Sequence, residues 1–445
     1  MRINLTDNNV EQRNAMSFQR EDIAALFPIA DKTVAELCRE NESLLVFPYS
    51  LEANDDKIGE SAVFSILNTD DPKKVRIATG NIMGFIGVKN LKIKIKSRFD
   101  KGRDDYMLHY LLQRVLSFNL FDLNHNNEQE DVFDFIMFLF PYLLKAALRQ
   151  GLYREYRTFK HNDANVKGSI DVGRHIARNI PFVGNIAYST REYNQDNSMT
   201  QLIRHTIEFM KTKKYGRSVL NIDHETTENV KCIVEHTPLY DRNERSSIIS
   251  KNLRATAHPY YTEYRPLQTL CLQILRMEEV KYGESDDEIC GILFDGAWLW
   301  EEYVNTILQK LGFRHPQNKL RKDGIYIFDD HSGRRYPDFY NDNMVLDAKY
   351  KRLGGYDKVS QVDKDDLHQV ITYMTALHIE RGGFVVPLER KQDKVPTSRL
   401  KESVSTLSIY GIEISKESTS YADFCDRMRD MEKVFLETIT ENLEK

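Results

Sequence analysis

The chain has 445 residues, with 62 Lys and Arg against 67 Asp and Glu, a formal net charge of −5 and 41% hydrophobic residues. That length suggests about two or three domains, and 21 Gly with 12 Pro exclude a collagen-like or wholly disordered chain. The five cysteines are scattered with no pair at two-residue spacing, which excludes a zinc ribbon or a CxxC redox motif and fits a reducing compartment. No apolar signal core follows Met1, and the greasiest stretch, 135–144, is interrupted by Pro141. It is far shorter than the roughly 20 residues a membrane helix needs, so the expected location is cytoplasmic, with no membrane partner.

Taken in chain order, residues 1–70 are acidic, with six Lys or Arg against thirteen Asp or Glu. Ser17 is placed to cap a helix through Glu21 to Leu26, Pro28 ends it, and a second short helix is expected over 33–39 before a strand over 44–47. Two short helices about a turn would make a helix-turn-helix, although the second is acidic and would face phosphates poorly. From Lys73 to Arg103 the balance inverts to ten basic residues against one acidic, Asp100. Within it, residues 91–96 alternate, so a strand would bury Leu91, Ile93 and Ile95 and present Lys92, Lys94 and Lys96. Those lysines either protect an edge strand from aggregation or face nucleic-acid phosphates.

Helical patterns follow over 105–118 and 132–149, separated by a polar connector at 124–127. The stretch 151–178 is basic again; Arg154 and Lys167 join the lysine strip as candidate nucleic-acid contacts, and for Arg154 and Arg191 an ion pair with a neighbouring carboxylate is the alternative. Further helices are expected over 198–214, 225–236 and 264–280, and the polar, acidic stretch 284–288 marks a boundary. The resulting division is an acidic segment 1–70, a middle region 71–285 and a C-terminal domain 286–445, with no internal repeat.

The C-terminal third reads as a helix, three strands, a helix and a strand. An amphipathic helix over 295–311 carries Trp300, Val304, Ile307 and Leu311 at helical spacing. Strands follow at 324–328, at 335–339 and, after the turn Asn341-Asp342-Asn343, at 344–351. On that last strand Met344, Leu346, Ala348 and Tyr350 point one way, so Asp347 and Lys349 share the other face. Asp338 lies across the hairpin from them, so two carboxylates and an ammonium converge. Such a pair of carboxylates suits Mg²⁺, which lowers the pKa of bound water and offsets charge on a phosphodiester, while a lysine can orient the attacking water.

Pro337-Asp338, eight residues, then Asp347-Ala348-Lys349 resembles the PD-(D/E)XK nuclease signature. Gln369 and Tyr373, four residues apart on the next helix, are similar to the Gln-x-x-x-Tyr element of the RecB-like branch, with core packing as the alternative for Tyr373. Trp300-Glu301-Glu302-Tyr303 matches the position of an extra acidic residue, assigned to Glu301 over Glu302. His368 points about 100° away from Gln369 and reads as structural or solvent-facing. The implied fold class is α/β: an α+β N-terminal region and a restriction-endonuclease-like α-β-β-β-α-β core. The resemblance implies Asp338, Asp347, the Ala348 carbonyl and Glu301 as ligands of Mg²⁺, or of Mn²⁺ in its place, and Lys349, Gln369 and Tyr373 as further catalytic residues.

Beyond that core, Thr79-Gly80-Asn81-Ile82-Met83-Gly84, Gly151-Leu152-Tyr153-Arg154-Glu155-Tyr156, Val166-Lys167-Gly168-Ser169-Ile170-Asp171, Arg191 to Asn197, and Leu293-Phe294-Asp295 resemble, in that order, the McrC family of McrBC modification-dependent restriction systems. The resemblance implies a DNA endonuclease subunit that acts on double-stranded DNA with a McrB-like AAA+ GTPase, stimulates its hydrolysis, and docks it through residues before about 285. The chain lacks the spacing and hydroxyl of a phosphate-binding loop, since Gly80, Gly84 and Gly87 run into Val88-Lys89-Asn90, so no nucleotide is expected on this chain. The competing readings are a stand-alone nuclease of repair or RNA cleavage, and a non-catalytic activator or scaffold of the AAA+ ring.

Overall fold

The computed structural model describes residues 2–9, 17–41, 44–47, 59–88, 91–100, 105–116, 131–213, 216–254, 258–282, 289–316, 323–351, 358–390, 392, 394–415 and 418–444. Lys89 with Asn90, the connector 124–127 and the stretch 284–288 lie outside them. The chain is a mixed α/β protein of two compact units: Met1–Asn127 with Ser285–Lys445, and Glu128–Glu284. No described helix is long and apolar enough to cross a membrane.

In chain order the first unit opens with β1 (Arg2–Thr6), β2 (Ser17–Gln19), α1 (Val34–Glu40), β3 (Leu44–Phe47), β4 (Phe64–Asn68), β5 (Lys74–Thr79), β6 (Ile82–Val88), β7 (Leu91–Lys96) and α2 (Tyr106–Leu116). The second unit holds α3 (Asp131–Arg149), β8 (Glu155–Asp163), β9 (Ser169–Ile170), α4 (Val172–Arg178), β10 (Ile186–Asn194), α5 (Ser198–Met210), α6 (Gly216–Leu220), α7 (His224–Glu235), α8 (Arg245–Lys251) and α9 (Tyr264–Tyr282). The first unit resumes with β11 (Ile289–Asp295), α10 (Gly296–Leu308), β12 (Ile325–Tyr326), β13 (Arg334–Arg335), β14 (Phe339–Tyr340), β15 (Val345–Ala348), α11 (Lys364–Leu377), β16 (Arg381–Leu388), β17 (Thr397–Arg399), β18 (Thr406–Glu413) and α12 (Tyr421–Glu444).

Two five-stranded sheets organise the first unit, in the orders β1-β7-β6-β11-β3 and β14-β15-β16-β18-β17. The first departs from the expected boundaries at 70 and 285, because β11 hydrogen-bonds antiparallel to β6 and parallel to β3. Gly84 is fixed by that pairing: its φ is +131°, and a Cβ there would lie 2.1 Å from the Ile292 carbonyl oxygen. Leu91, Ile93 and Ile95 enter the core as the alternation requires. Yet β7 lies between β1 and β6, so the edge-strand reading of its lysines is overturned.

The expected helix through Glu21 to Leu26 is the strand β2 followed by a 3-10 turn, Ala24–Leu26, which removes the helix-turn-helix. Ser17 to Gln19 instead pair with Arg76 to Lys74, long-range bonding that local capping signals do not encode. The second helix does form, with Thr33 and Glu36 making a reciprocal capping box.

In the C-terminal sheet, β14 and β15 form the expected hairpin, Phe339 opposite Leu346 and Tyr340 opposite Val345. After α11, β16 pairs parallel with β15, and β18 parallel with β16. The strand expected over 324–328 shrinks to β12 and joins only β13, while β17 and β18 extend the sheet on its other side. The second unit sets helices beside the ribbon β8-β10-β9. Asn197 caps α5, accepting from the Met199 and Thr200 amides, and its own amide donates to the Tyr153 carbonyl at 3.0 Å.

Candidate active site

The hairpin puts Asp338 next to the end of β15, where its Oδ2 accepts the Ala348 amide at 2.7 Å. Asp347 is 1% exposed. Burial pushes its carboxyl up to about 8, and the neighbouring Asp338 charge adds to the shift. Asp338 is pushed up to about 7, first by burial and then by Glu301. Lys349 counters both: its Nζ lies 2.8 Å from Asp347 Oδ2. Burial alone would lower the lysine, but the Asp347, Asp338 and Asp366 carboxylates outweigh it and hold the ammonium charged.

Gln369 and Tyr373 meet on α11, the Gln369 amide donating to the Tyr373 hydroxyl at 3.0 Å. Tyr373 is raised by burial and by the Asp338 and Asp347 charges, which places its hydroxyl within electrostatic reach of the pair. It is also buried in the core cluster that includes Val345 and Phe384, so packing and site placement coincide. His368 is exposed, as expected.

Glu301 and Glu302 flank a residue the sequence reading omitted. His315 Nε2 lies 3.8 Å from Glu301 and 3.7 Å from Glu302, while Nδ1 donates to the Asp338 carbonyl at 2.7 Å. Burial lowers the imidazole, yet Glu302 and Glu301 outweigh that and push it up to about 9. The two glutamates thus act on different groups as well as on His315: Glu301 raises Asp338, whereas Glu302, at 3.7 Å, is the slightly nearer carboxylate to the imidazole. His315 follows the helix without periodicity and left no sequence signal. Asp366 did leave one: with Gln369 and Tyr373 it completes an i, i+3, i+7 stripe on α11.

Among the described residues no group of three or more His, Cys, Asp or Glu side chains forms a metal cage. The hairpin offers another donor set, two carboxylates and the Ala348 carbonyl, and Mg²⁺ takes one or two protein carboxylates with water and phosphate oxygens. Asp347 Oδ1 is buried without a hydrogen-bond partner among the described residues, and an unmet acceptor beside a second carboxylate is the demand a divalent cation satisfies. The residues present fit such an ion.

Two residues past β15, Tyr350 reaches the end of β7. Its hydroxyl hydrogen-bonds Ser97 Oγ at 2.8 Å, and its ring lies under the Arg98 guanidinium at 4.7 Å. Arg98 is buried against Asp7, with Nε to Oδ2 at 2.9 Å and Nη2 to Oδ2 at 2.6 Å, and also reaches Asn81. Asn81 in turn accepts the Gly296 amide at 2.8 Å. A Cβ on Gly296 would lie 2.8 Å from the Tyr350 ring, so the start of α10 needs glycine there.

The expected nucleic-acid contacts are divided between the two units. Lys92 is exposed, whereas Lys94 and Lys96 are half-buried; Lys94 lies 5.4 Å from the Phe85 ring, and both lysines act on the buried Asp105 carboxyl. In the other unit Arg154 and Lys167 are exposed. Arg191 lies 4.8 Å over the Tyr156 ring, a contact neither expected reading included.

Fold and site together define a mixed α/β protein whose C-terminal sheet carries a buried acid-and-lysine centre. The family model for the McrBC 5-methylcytosine restriction system component matches residues 77–387, more than half of the chain, and the chain belongs to that family. No curated protein matches the chain. Among solved structures it is similar to a refined half-complex from a tetradecameric assembly of Thermococcus gammatolerans McrB AAA+ hexamers with bound McrC, at 15% identity and a TM-score of 0.49 over 97% of this chain and 100% of that one. It is similar as well to the cryo-EM structure of the Thermococcus gammatolerans McrBC complex, at 15% identity and a TM-score of 0.32 over 70% of this chain and 88% of that one.

Proposed function

We propose that this chain is the Mg²⁺-dependent endonuclease subunit of a McrBC-type restriction complex, a cytoplasmic assembly with a McrB-like AAA+ GTPase that cleaves double-stranded DNA. The observation that carries the reading is the buried Asp347, its Oδ1 unpartnered, beside Asp338 and within 2.8 Å of Lys349. Family membership makes restriction the setting in which that centre works. The C-terminal sheet with its hairpin and α11 is read as a PD-(D/E)XK core.

Asp338, Asp347 and the Ala348 carbonyl would hold the ion, with Glu301 at its margin. When bound, Mg²⁺ supplies Lewis acidity to the scissile phosphate and a lowered pKa to a coordinated water. Lys349 keeps an ammonium at the mouth of the pair, placed to orient the attacking water and to meet charge growing on the phosphorane. Tyr373, braced by Gln369, offers a hydroxyl to the same space. In the other unit Phe182 and Val183 are 63% and 75% exposed, with Val172, Ile176 and Ile180 also exposed. An apolar patch of that kind suits a protein partner, and we assign it to docking the motor.

The test supplies purified chain, cognate motor, GTP, Mg²⁺ and methylated DNA, and compares wild type with Asp347→Ala and Lys349→Ala. Both variants should lose cleavage while still stimulating GTP hydrolysis. Undiminished cleavage by either variant overturns the catalytic assignment, and cutting without the motor would make the chain a stand-alone nuclease.

A further inference from the structure

We infer that Asp366 is a positioning residue that shares the Lys349 ammonium with Asp347 and gives it a second seat, so that Asp347 can open to a divalent cation; this rests on the nuclease reading of the site. Asp366 enters from the first turn of α11, facing the segment just past β15 that carries both lysines. Its Oδ1 lies 3.1 Å from Lys349 Nζ and its Oδ2 2.6 Å from Lys351 Nζ. Lys349 is therefore shared between Asp366 and Asp347, at 3.1 and 2.8 Å. The four side chains form a line of alternating charge, Asp347, Lys349, Asp366, Lys351, running from the buried centre to solvent.

The line resolves a conflict built into the site. A lysine adjacent to the ion is useful for orienting water, but paired closely to Asp347 alone it competes with the ion for that carboxylate. A second carboxylate on the opposite side of Nζ offsets the competition, because the ammonium has somewhere else to sit when Asp347 turns to a cation. Asp366 suits this role and not that of a ligand, since both of its oxygens are already engaged by lysines. Burial would raise its carboxyl, yet Lys351 and Lys349 hold it below the usual range. Lys351, with a side chain 48% exposed, trims the hold from the far end.

Two measurements on the full chain test this. In the metal-free protein, acylation of each lysine is followed by peptide mass spectrometry. Asp366→Asn should speed labelling of Lys349 about threefold to fivefold, the scale of a partly exposed ion pair, with Asp366→Glu close to wild type. Lys351→Gln, at a tolerant surface position, should slow Lys349 labelling, since Asp366 then serves one lysine. Lys349 rates unchanged in both Asp366→Asn and Lys351→Gln overturn the inference. In the second measurement, Mn²⁺ binding by calorimetry should weaken about tenfold in Asp366→Asn, the size expected for losing an outer partner of a metal site. Placed on Lys349→Ala, the same change should weaken binding no further, because the lysine it restrains is gone. Equal losses in both backgrounds would mean that Asp366 only supports the fold, and would overturn the inference. If wild type shows no Asp347-dependent Mn²⁺ binding, the nuclease reading fails, and with it the purpose assigned to Asp366; the labelling still decides whether Asp366 holds the lysine.

Discussion

Asp7 and Asp347 are both buried aspartates on strand ends of the same compact unit, and they are opposite cases. Asp7 accepts from the Arg98 backbone amide and from its guanidinium, and the two side chains are 0% and 3% exposed. Its charge is answered on every side. Asp347 is as deeply buried, but its Oδ1 has no hydrogen-bond partner among the described residues and a second carboxylate stands beside it. Burial of a charge therefore marks neither structure nor function by itself. What separates the two is unmet demand: one site is complete, and the other leaves an acceptor open, as the proposed cation requires.

The comparison is broken most directly at the complete site. Asp7→Ala leaves Arg98 buried and unpaired, and is expected to cost about 3–5 kcal/mol in chemical denaturation. A loss under about 1 kcal/mol would show that the pair is not the closed unit described here. At the incomplete site the largest effect is on rate. Lys349→Ala should reduce cleavage about 10²- to 10³-fold with little change in stability, measured in single-turnover assays with the motor present.

A third buried group sharpens the contrast. His205, on α5, is 0% exposed, and neither ring nitrogen has a hydrogen-bond partner among the described residues. Burial first, then Arg245 and Arg204, pushes it down to about 4. It meets its surroundings by staying neutral. Its folded-state pKa lies below the ordinary value near 6.5, so stability is fully present above that value and is lost as pH falls toward 4. Between pH 7 and pH 4 the loss attributable to it should be about 3 kcal/mol, read as the difference between wild type and His205→Phe; parallel pH profiles for the two would sink the assignment.

The smallest expected effect has the opposite sign. Asp347→Asn relieves the repulsion between two crowded buried carboxyls, so the metal-free chain should gain about 1–2 kcal/mol while losing cleavage. Divalent cations should then raise the melting temperature of wild type and leave that of the variant unchanged. A variant less stable than metal-free wild type would place Asp347 with Asp7 as a structural residue.

How much of this could be read from residues alone depended on how local the cause was. Asp338, Asp347 and Lys349 were legible because a turn sequence and strand alternation suffice to bring them together. Gln369 and Tyr373 needed only helical spacing. The rest depends on pairing between distant segments. Nothing near Leu91 announces that residues 2–6 lie alongside it in parallel, Arg2 opposite Lys92, so the lysine strand looked like an edge. Ser17 to Gln19 carry a capping signal that sheet bonding to β5 overrides. His315 reaches the centre through a carbonyl on Asp338, a contact made by folding and not by spacing. Asp366 stands in the same helix stripe, but its role shows only when the lysines opposite it are placed.

The pairing of Ile289–Asp295 with strands from the first ninety residues bears on how such a chain can be inherited and rearranged. Asp295 ends that strand and at once caps α10, its Oδ1 accepting the Ala297 amide at 2.9 Å. The helix that carries Glu301 thus grows from a sheet whose other members were synthesised some two hundred residues earlier. A break at 285 would take away both neighbours of an interior strand. The part that carries the acid-and-lysine centre is therefore not a transferable cassette, and exchange between relatives should preserve Met1–Asn127 and Ser285–Lys445 as one heritable piece, leaving the span enclosed between them as the part that can be replaced.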